Sequence, residues 1–461
     1  MTAIITHRTR IFNAEQLIKS FTLPVGGNNH YLFIGKPLPW TVESAPDTPL
    51  DDGKVNADAR RDMMAVKRIQ ASNVSLGIVN RTWTTGQFYD IYRNDYDGTT
   101  VAGIDLIAGT PTMPASLYSC NFYVITAQYN IYKCIWNAGG TPSTVSPSGT
   151  STTQFTTADG YVWKYMGSIS PADTTAFYSS NFAPAKKVGL NPGVADFYYT
   201  QYQVEQAAVD GSVNYILVTA GGSGYPVSSI TVPITITGDG NNLAAVGATN
   251  SAGQLISVNI SSVGSGYTYA TVIAGGGGSG AVIKPVISPK YGHGYDITRE
   301  LGAYYVLLDV TLAYAEAGNN FPTNISYRRL GIIKDPYIFG TTTIASSTTY
   351  NTCKSITFTS ATGVFVPTEI ISGTTSTATG VVVSYDPVAK VVQFIQTSAQ
   401  SGAFIAGENI TGGTSAASGI VLSTGNPGII PTSGELLYLE HRRAINRAPD
   451  QIEDIKITIQ A

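Results

Sequence analysis

The sequence predicts a mainly β chain, a β-rich α+β protein of antiparallel sheets or sandwiches with a few short helices. Three observations predict it. Only 12% of the 461 residues are charged, against about 25% in typical soluble domains. Ser, Thr, Asn and Gly fill the gap, with 48 Gly and 28 Tyr, and such residues favour strands and turns over helices. Short apolar runs alternate with turn clusters along most of the length. Two stretches also repeat internally, which marks supersecondary modules. The length suits roughly two to four domains.

Asn13-Ala14-Glu15-Gln16 has the pattern of a capping box, so a helix is expected over Ala14 to Phe21, stopped by Pro24-Val25-Gly26-Gly27. His30 to Gly35 (HYLFIG) reads as a strand, turned outward by KPLPW. Asn56 is placed to cap a second helix, Ala57 to about Lys67. Arg60, Arg61, Lys67 and Arg68 sit there among Asp58 and Asp62, the mixture of a solvated helix face. Ile78 to Tyr96 is rich in aromatic and β-branched residues and reads as one or two strands. Phe122 to Trp136 reads as a hairpin reversing near Gln128-Tyr129-Asn130. In DGYVWKYM, from Asp159, the residues Tyr161, Trp163 and Tyr165 share one face of a strand. Such a stripe either stacks on sugar rings or faces a core, and the core is the commoner use.

Two inserts follow. Residues 205–290 hold Gly-Ser-Gly-Tyr twice, from Gly222 and from Gly264, each running into a Thr/Val/Ile strand. Residues 341–428 hold EIISGTTSTATGVVVS from Glu369 and ENITGGTSAASGIVLS from Glu408. Both read as all-β modules of stacked units with polar, uncharged surfaces. Around them runs a discontinuous frame: residues 1–204, 291–340 (with strands at Val306–Val310 and Arg329–Lys334) and 429–461.

The C-terminal stretch, GELLYLEHRRAINRAPDQIEDIKITIQA from Gly434, is the most charged part of the chain. Leu436 to Glu440 and Ile455 to Ile459 alternate as two strands, which need partners from far back in the chain. The Arg-rich link between them is closed by Ala448-Pro449-Asp450. Arg442, Arg443 and Arg447 have two readings. One is a solvated loop with local pairing to Glu440, Asp450 or Glu453. The other is a subunit contact through Glu440, Arg442, Arg443, Arg447 and Asp450, since a guanidinium suits carboxylates across an interface.

The net charge of -3 argues against a general nucleic-acid binder. Cys120, Cys134 and Cys353 are too scattered for a disulfide framework or a zinc site, so reduced thiols are expected. The four histidines, His7, His30, His293 and His441, never fall at metal-ligand spacing. The Gly275–Gly280 run lacks the Lys of a phosphate-binding loop and reads as a turn. The first residues have no apolar signal core, and no run is long enough to span a membrane. The expectation is a soluble protein, not an enzyme, with no cofactor, metal, nucleic-acid or membrane partner.

Four stretches carry a resemblance: DGYVWKYMGSISP from Asp159, LAYAEAGNNF followed by YRRLGIIKDP from Tyr327, GELLYLEHRRAINRAPDQIEDIKITI from Gly434 and, more weakly, HYLFIGKPLPW. Together they span the frame, which resembles the baseplate wedge subunit of T-even-like contractile-tailed phages, the gene-eight product family. The resemblance implies a structural protein of the virion tail without catalysis. It implies a β-rich homodimer that joins other wedge subunits around the tail hub, assembled in the host cytoplasm. The two inserts and the low charge depart from the family. The alternative is a carbohydrate-binding or depolymerising tail protein, with glycan contact by the inserts through Tyr225, Tyr267 and Tyr269.

Overall fold

A computed structural model describes residues 4–22, 28–96, 117–227 and 231–461. The expected helix stop at Pro24 to Gly27 lies outside them. In chain order the elements begin with α1 (His7–Thr22), β1 (His30–Gly35), α2 (Gly53–Arg61), β2 (Met63–Arg68), β3 (Val74–Val79), β4 (Tyr123–Ile125), β5 (Asn130–Asn137), β6 (Phe155–Thr156) and β7 (Tyr161–Ser168). Then come α3 (Pro171–Phe177), β8 (Phe182–Pro184), α4 (Tyr199–Gln206), β9 (Val213–Ser223), β10 (Val232–Gly238), β11 (Asn241–Thr249), β12 (Leu255–Ser265), β13 (Ala270–Ala274) and β14 (Ser279–Ile287). The chain continues with α5 (Ile297–Glu300), β15 (Tyr305–Ala313), β16 (Ile325–Lys334), β17 (Thr349–Asn351), β18 (Lys354–Thr362), β19 (Ile370–Gly373), β20 (Thr379–Asp386) and β21 (Val391–Ile395). It ends with β22 (Asn409–Gly412), β23 (Ser418–Gly425), β24 (Glu435–Arg447) and β25 (Ile452–Gln460). The fold is mainly β, as expected.

The chain divides into two compact units: Met1–Glu15, Ser75–Leu307 and Thr458–Ala461 in one, Gln16–Val74 and Leu308–Ile457 in the other. The frame read from sequence is therefore shared between two bodies, and each carries one insert. In the first unit β4, β5, β7 and β6 form one antiparallel sheet. The β4–β5 hairpin reverses at Tyr129, whose φ is 59°. The Tyr161, Trp163 and Tyr165 stripe faces inward, and Tyr161 and Trp163 stack with centroids 5.4 Å apart. It is core, not a sugar platform. On β5, Lys133 is buried and ion-paired with Glu300 of α5, and His293 Nδ1 lies 3.0 Å from its ammonium. A paired buried charge of this kind fixes geometry more than it adds stability. Of the expected strands over Ile78–Tyr96 only the end of β3 forms. Beyond it the chain makes isolated bridges, Thr82 to Ile125 and Gln87 to Ser143. Tyr89, Ile91 and Tyr92 are held by burial rather than by a ladder.

The first insert is not a stack of repeats. Its two repeats, β9-β10-β11 and β12-β13-β14, exchange strands. β9 pairs with β14 (Ala281 opposite Gly221), β12 pairs with β11 (Leu243 opposite Val263), and β10 pairs with β13. Gly222 and Gly264 occupy equivalent left-handed positions, φ 61° and 63°. A Cβ on Gly222 would lie 2.3 Å from the Ser279 carbonyl oxygen, and one on Gly264 would lie 2.7 Å from that of Asn241. Only glycine fits there. Each repeat's tyrosine, Tyr225 or Tyr267, covers a glycine of the other repeat, Gly278 or Gly240, and is buried in the module core.

In the second unit one antiparallel sheet has the order β17-β2-β1-β16-β24. The expected second helix is displaced: α2 is capped by the Asp52 carboxylate, which accepts from Val55 N at 2.7 Å, and ends at Arg61. Met63 to Arg68 is instead a strand, because Met63, Met64, Ala65 and Val66 all bury beside β1 (Phe33 opposite Val66). The first helix is also longer than expected. It starts at His7 behind the Thr6 hydroxyl, which accepts from Thr9 N at 3.3 Å, so Asn13 is interior. An apolar stripe of Ile11, Ala14 and Phe21 carries it. The core of the sheet gathers Tyr31, Phe33, Met63, Val66, Ile333 and Ile429.

The second insert is a closed barrel, β18-β21-β20-β19-β22-β23. Its repeats are meanders of three strands, β19-β20-β21 and β22-β23-β18, the last strand coming from before the first repeat. The glutamates that open the repeats interlock them. Glu369 accepts from Val366 N (2.7 Å), Thr414 N (3.1 Å), Ser415 N (2.9 Å) and Ser415 Oγ (2.8 Å). Glu408 accepts from the equivalent Ile405 N (2.7 Å), Thr375 N (3.2 Å), Ser376 N (2.9 Å) and Ser376 Oγ (2.9 Å). Both carboxylates are inaccessible, at 4% exposure. Burial pushes each pKa up, but the Ser and Thr donors and the backbone N–H of Val366 or Ile405 prevail and hold both below the ordinary carboxylate range.

Candidate subunit interface

The Arg-rich segment is strand, not loop. β24 runs unbroken from Glu435 to Arg447 at the edge of the sheet, with β16 beside it and the N-terminal strands β1 and β2 beyond. The C-terminal stretch thus closes a sheet built partly from the N-terminal region. Its register shifts twice, between Ile332 and Ile333 and again at the arginines. Tyr327 faces Ile445 and Arg329 faces His441, so Arg442, Arg443 and Ala444 bulge opposite the single residue Arg328. A bulge frees backbone groups that need partners.

The KPLPW turn after β1 supplies them. Trp40 Nε1 donates to the Arg442 carbonyl (2.7 Å), and Ala444 N donates to Glu43 Oε1 (2.9 Å). His441 Nδ1 donates to the Asp47 carbonyl at 2.7 Å. Glu43 also accepts from Trp40 N (3.0 Å) and from Arg328 Nε (2.7 Å), whose Nη1 holds the Pro37 carbonyl at 2.6 Å. Slight burial works upward on the Glu43 pKa, but the Trp40, Arg328 and Ala444 donors set it below the usual range. The Trp40 ring is enclosed by Lys36 (Nζ 4.4 Å from its centroid), Arg329 (5.6 Å) and the His441 ring (4.5 Å). Arg329 is itself paired with Asp62 at 2.8 Å. This loop covers the free edge of β24 around the bulge, which blunts strand-to-strand aggregation there.

The five sequence-predicted residues separate. Arg442 is exposed and pairs with Glu440 at 2.7 Å, while Tyr438 donates its hydroxyl to the same carboxylate at 3.0 Å. Burial, with the Glu440 charge next, pushes the Tyr438 phenol up to about 12. Arg443 and Asp450 are exposed, Asp450 in the turn where Gln451 N meets the Ala448 carbonyl. Arg447 is different: it is 1% exposed and wholly engaged inside the chain. It holds Glu453 Oε2 (3.0 Å), the Tyr314 carbonyl (2.6 Å) and the Pro322 carbonyl (3.1 Å), over the Phe321 ring. Local pairing is therefore realised for Arg442 and Arg447. Arg447 is an internal clamp, the solvent-facing candidates are Arg442, Arg443 and Asp450, and Glu440 is half-buried between Arg442 and Tyr438. Sequence reading missed Glu43 and Arg328 as organisers. The signal available was the Pro-Trp after a buried strand, but nothing local ties Glu43 to residues some four hundred positions away (~400, a separation only the fold closes).

The glycan platform does not form as expected. Tyr225 and Tyr267 are buried at 5% and 6% exposure, and Tyr269 alone is open at 62%. Among the described residues no group of His, Cys, Asp and Glu gathers as a metal site, and no helix is long and apolar enough to cross a membrane. No protein-family model matches the chain, and no curated protein is significantly similar to it.

Proposed function

We propose that the protein is a structural virion component, a baseplate wedge subunit of a contractile phage tail that acts as a homodimer and links other wedge subunits. One observation supports this reading beyond the sequence resemblance. Three of its stretches, HYLFIGKPLPW, YRRLGIIKDP and GELLYLEHRR, are far apart in the chain yet lie on the neighbouring strands β1, β16 and β24 and meet at Trp40. Residues that a family would share for one purpose are expected to meet in one place. Low charge and abundant Tyr suit large contacts between permanent partners, whose buried centres are poor in charged residues and rich in aromatics. Arg442 and Arg443 face solvent at the bulge, with Glu440 half-buried beside them and Asp450 exposed in the turn after β24, and Arg is a frequent anchor near the centre of an interface.

The test is native mass by light scattering over a dilution series, with and without the pair R442A/R443A. A dimer is expected for the parent chain, weakened in the double variant with the thermal midpoint unchanged. A chain that stays monomeric at every concentration, or a dimer indifferent to both substitutions, would remove the proposal. Arg447 stays out of this set because its loss would report folding, not association.

A further inference from the structure

A concavity lies in the second unit, where the barrel leaves and rejoins the frame. It encloses about 370 Å³, within the range of small-ligand sites. Its only charged lining residues are Arg61 and Lys354, and no Asp or Glu lines it. In a chain of net charge -3 that is a marked local bias. The Arg61 side chain has no ion-pair or hydrogen-bond partner among the described residues. The Lys354 ammonium meets only a neutral oxygen, Gln396 Oε1 at 2.6 Å. That amide is fixed, because its Nε2 donates to the Thr379 and Gly402 carbonyls at 2.9 and 2.8 Å. The remaining lining is mixed: apolar Phe339, Phe394, Ile395, Pro427 and Pro431 stand beside uncharged polar side chains such as Gln400 and Thr432. Thr352, 4% exposed, also lines the space, and its hydroxyl has no partner.

We propose that this pocket binds a carboxylate carried on a small apolar body. Two cations with no internal carboxylate attract an anion. The apolar residues beside the two cations favour an organic acid over a fully hydrated ion. Arg61 supplies a planar fork for the two oxygens, and Lys354 supplies a point charge beside it. The same chemistry is offered by a free organic acid and by an acidic side chain of a neighbouring subunit. The proposal does not rest on the wedge reading.

Calorimetric titration of the full chain with benzoate, with N-acetylglutamate amide and with inorganic phosphate tests it. Both cations are exposed, so R61Q/K354Q is expected to fold normally. The carboxylates should bind the parent chain, and the double variant should bind them at least about tenfold more weakly, the equivalent of one charge-assisted bond. Tighter benzoate assigns a free organic acid, and tighter N-acetylglutamate amide assigns a partner side chain. No binding of either carboxylate, binding unchanged in R61Q/K354Q, or phosphate held more tightly than both would overturn the proposal.

Discussion

Replacing Glu369 by Gln in the barrel changes one atom type and removes one charge. The carboxylate accepts from three backbone N–H groups and one hydroxyl, and nothing else in the barrel offers those donors an acceptor in its place. In the amide, one oxygen becomes an NH₂ that faces donors: Val366 N if it takes the Oε1 position, Thr414 N and Ser415 N if it takes Oε2. Hydrogen bonds to a charged acceptor contribute about 1.5–3 kcal/mol each and neutral ones about 1, and a buried donor left without an acceptor costs about 1–3. The expected loss is on the order of 3 kcal/mol. E408Q should cost the same within about 0.5 kcal/mol, because its donors are the matching residues of the other repeat. The effect depends on pH with a definite sign. Both folded-state pKa values are depressed, so the stabilisation is complete above the ordinary carboxylate pKa, and falls away as pH drops through the folded value. The gap between parent and variant should therefore narrow in acid. Urea unfolding of the full chain, followed by pulsed hydrogen exchange in peptides from 354–425, isolates the barrel. A loss under about 0.5 kcal/mol, near the limit of surface substitutions, would refute the interlock. So would a gap that stays constant from neutral pH to well below the carboxylate range.

Other outcomes follow from the same structure. R447A leaves Glu453 buried without its partner, so thermal unfolding should show a loss of about 3–5 kcal/mol, whereas R443A should be nearly neutral. G222A and G264A should each destabilise the first insert by more than about 1–3 kcal/mol, since they combine a left-handed backbone with a clash against a carbonyl; equal protection in hydrogen exchange would count against the strand exchange. Excision of the barrel between Asn351 and Gly428, joined by a short glycine link, should leave β1, β2 and β16 protected, because Gly428 N already bonds the Asn351 carbonyl at 2.7 Å. W40A should free the bulge at Arg442 and raise exchange at Ala444, with little change in distant strands.

The sequence by itself determined the class of the fold, because period-2 alternation and turn residues act locally. It placed β1, the β4–β5 hairpin, β7 and the C-terminal strands, and it found both repeats. It misplaced α2, since a run containing Met63 and Val66 looks equally apolar as helix or strand until β1 lies beside it. The repeats were legible, but their exchange was not, because pairing between β9 and β14 or between Glu369 and Ser415 joins residues that no local pattern connects. The same holds at the candidate interface. Composition marked five charged residues as one group, and only the tertiary structure separated them: burial beside Phe321 turned Arg447 inward to Glu453, while the bulge on β24 and its Trp40 clasp left Arg442 and Arg443 facing water.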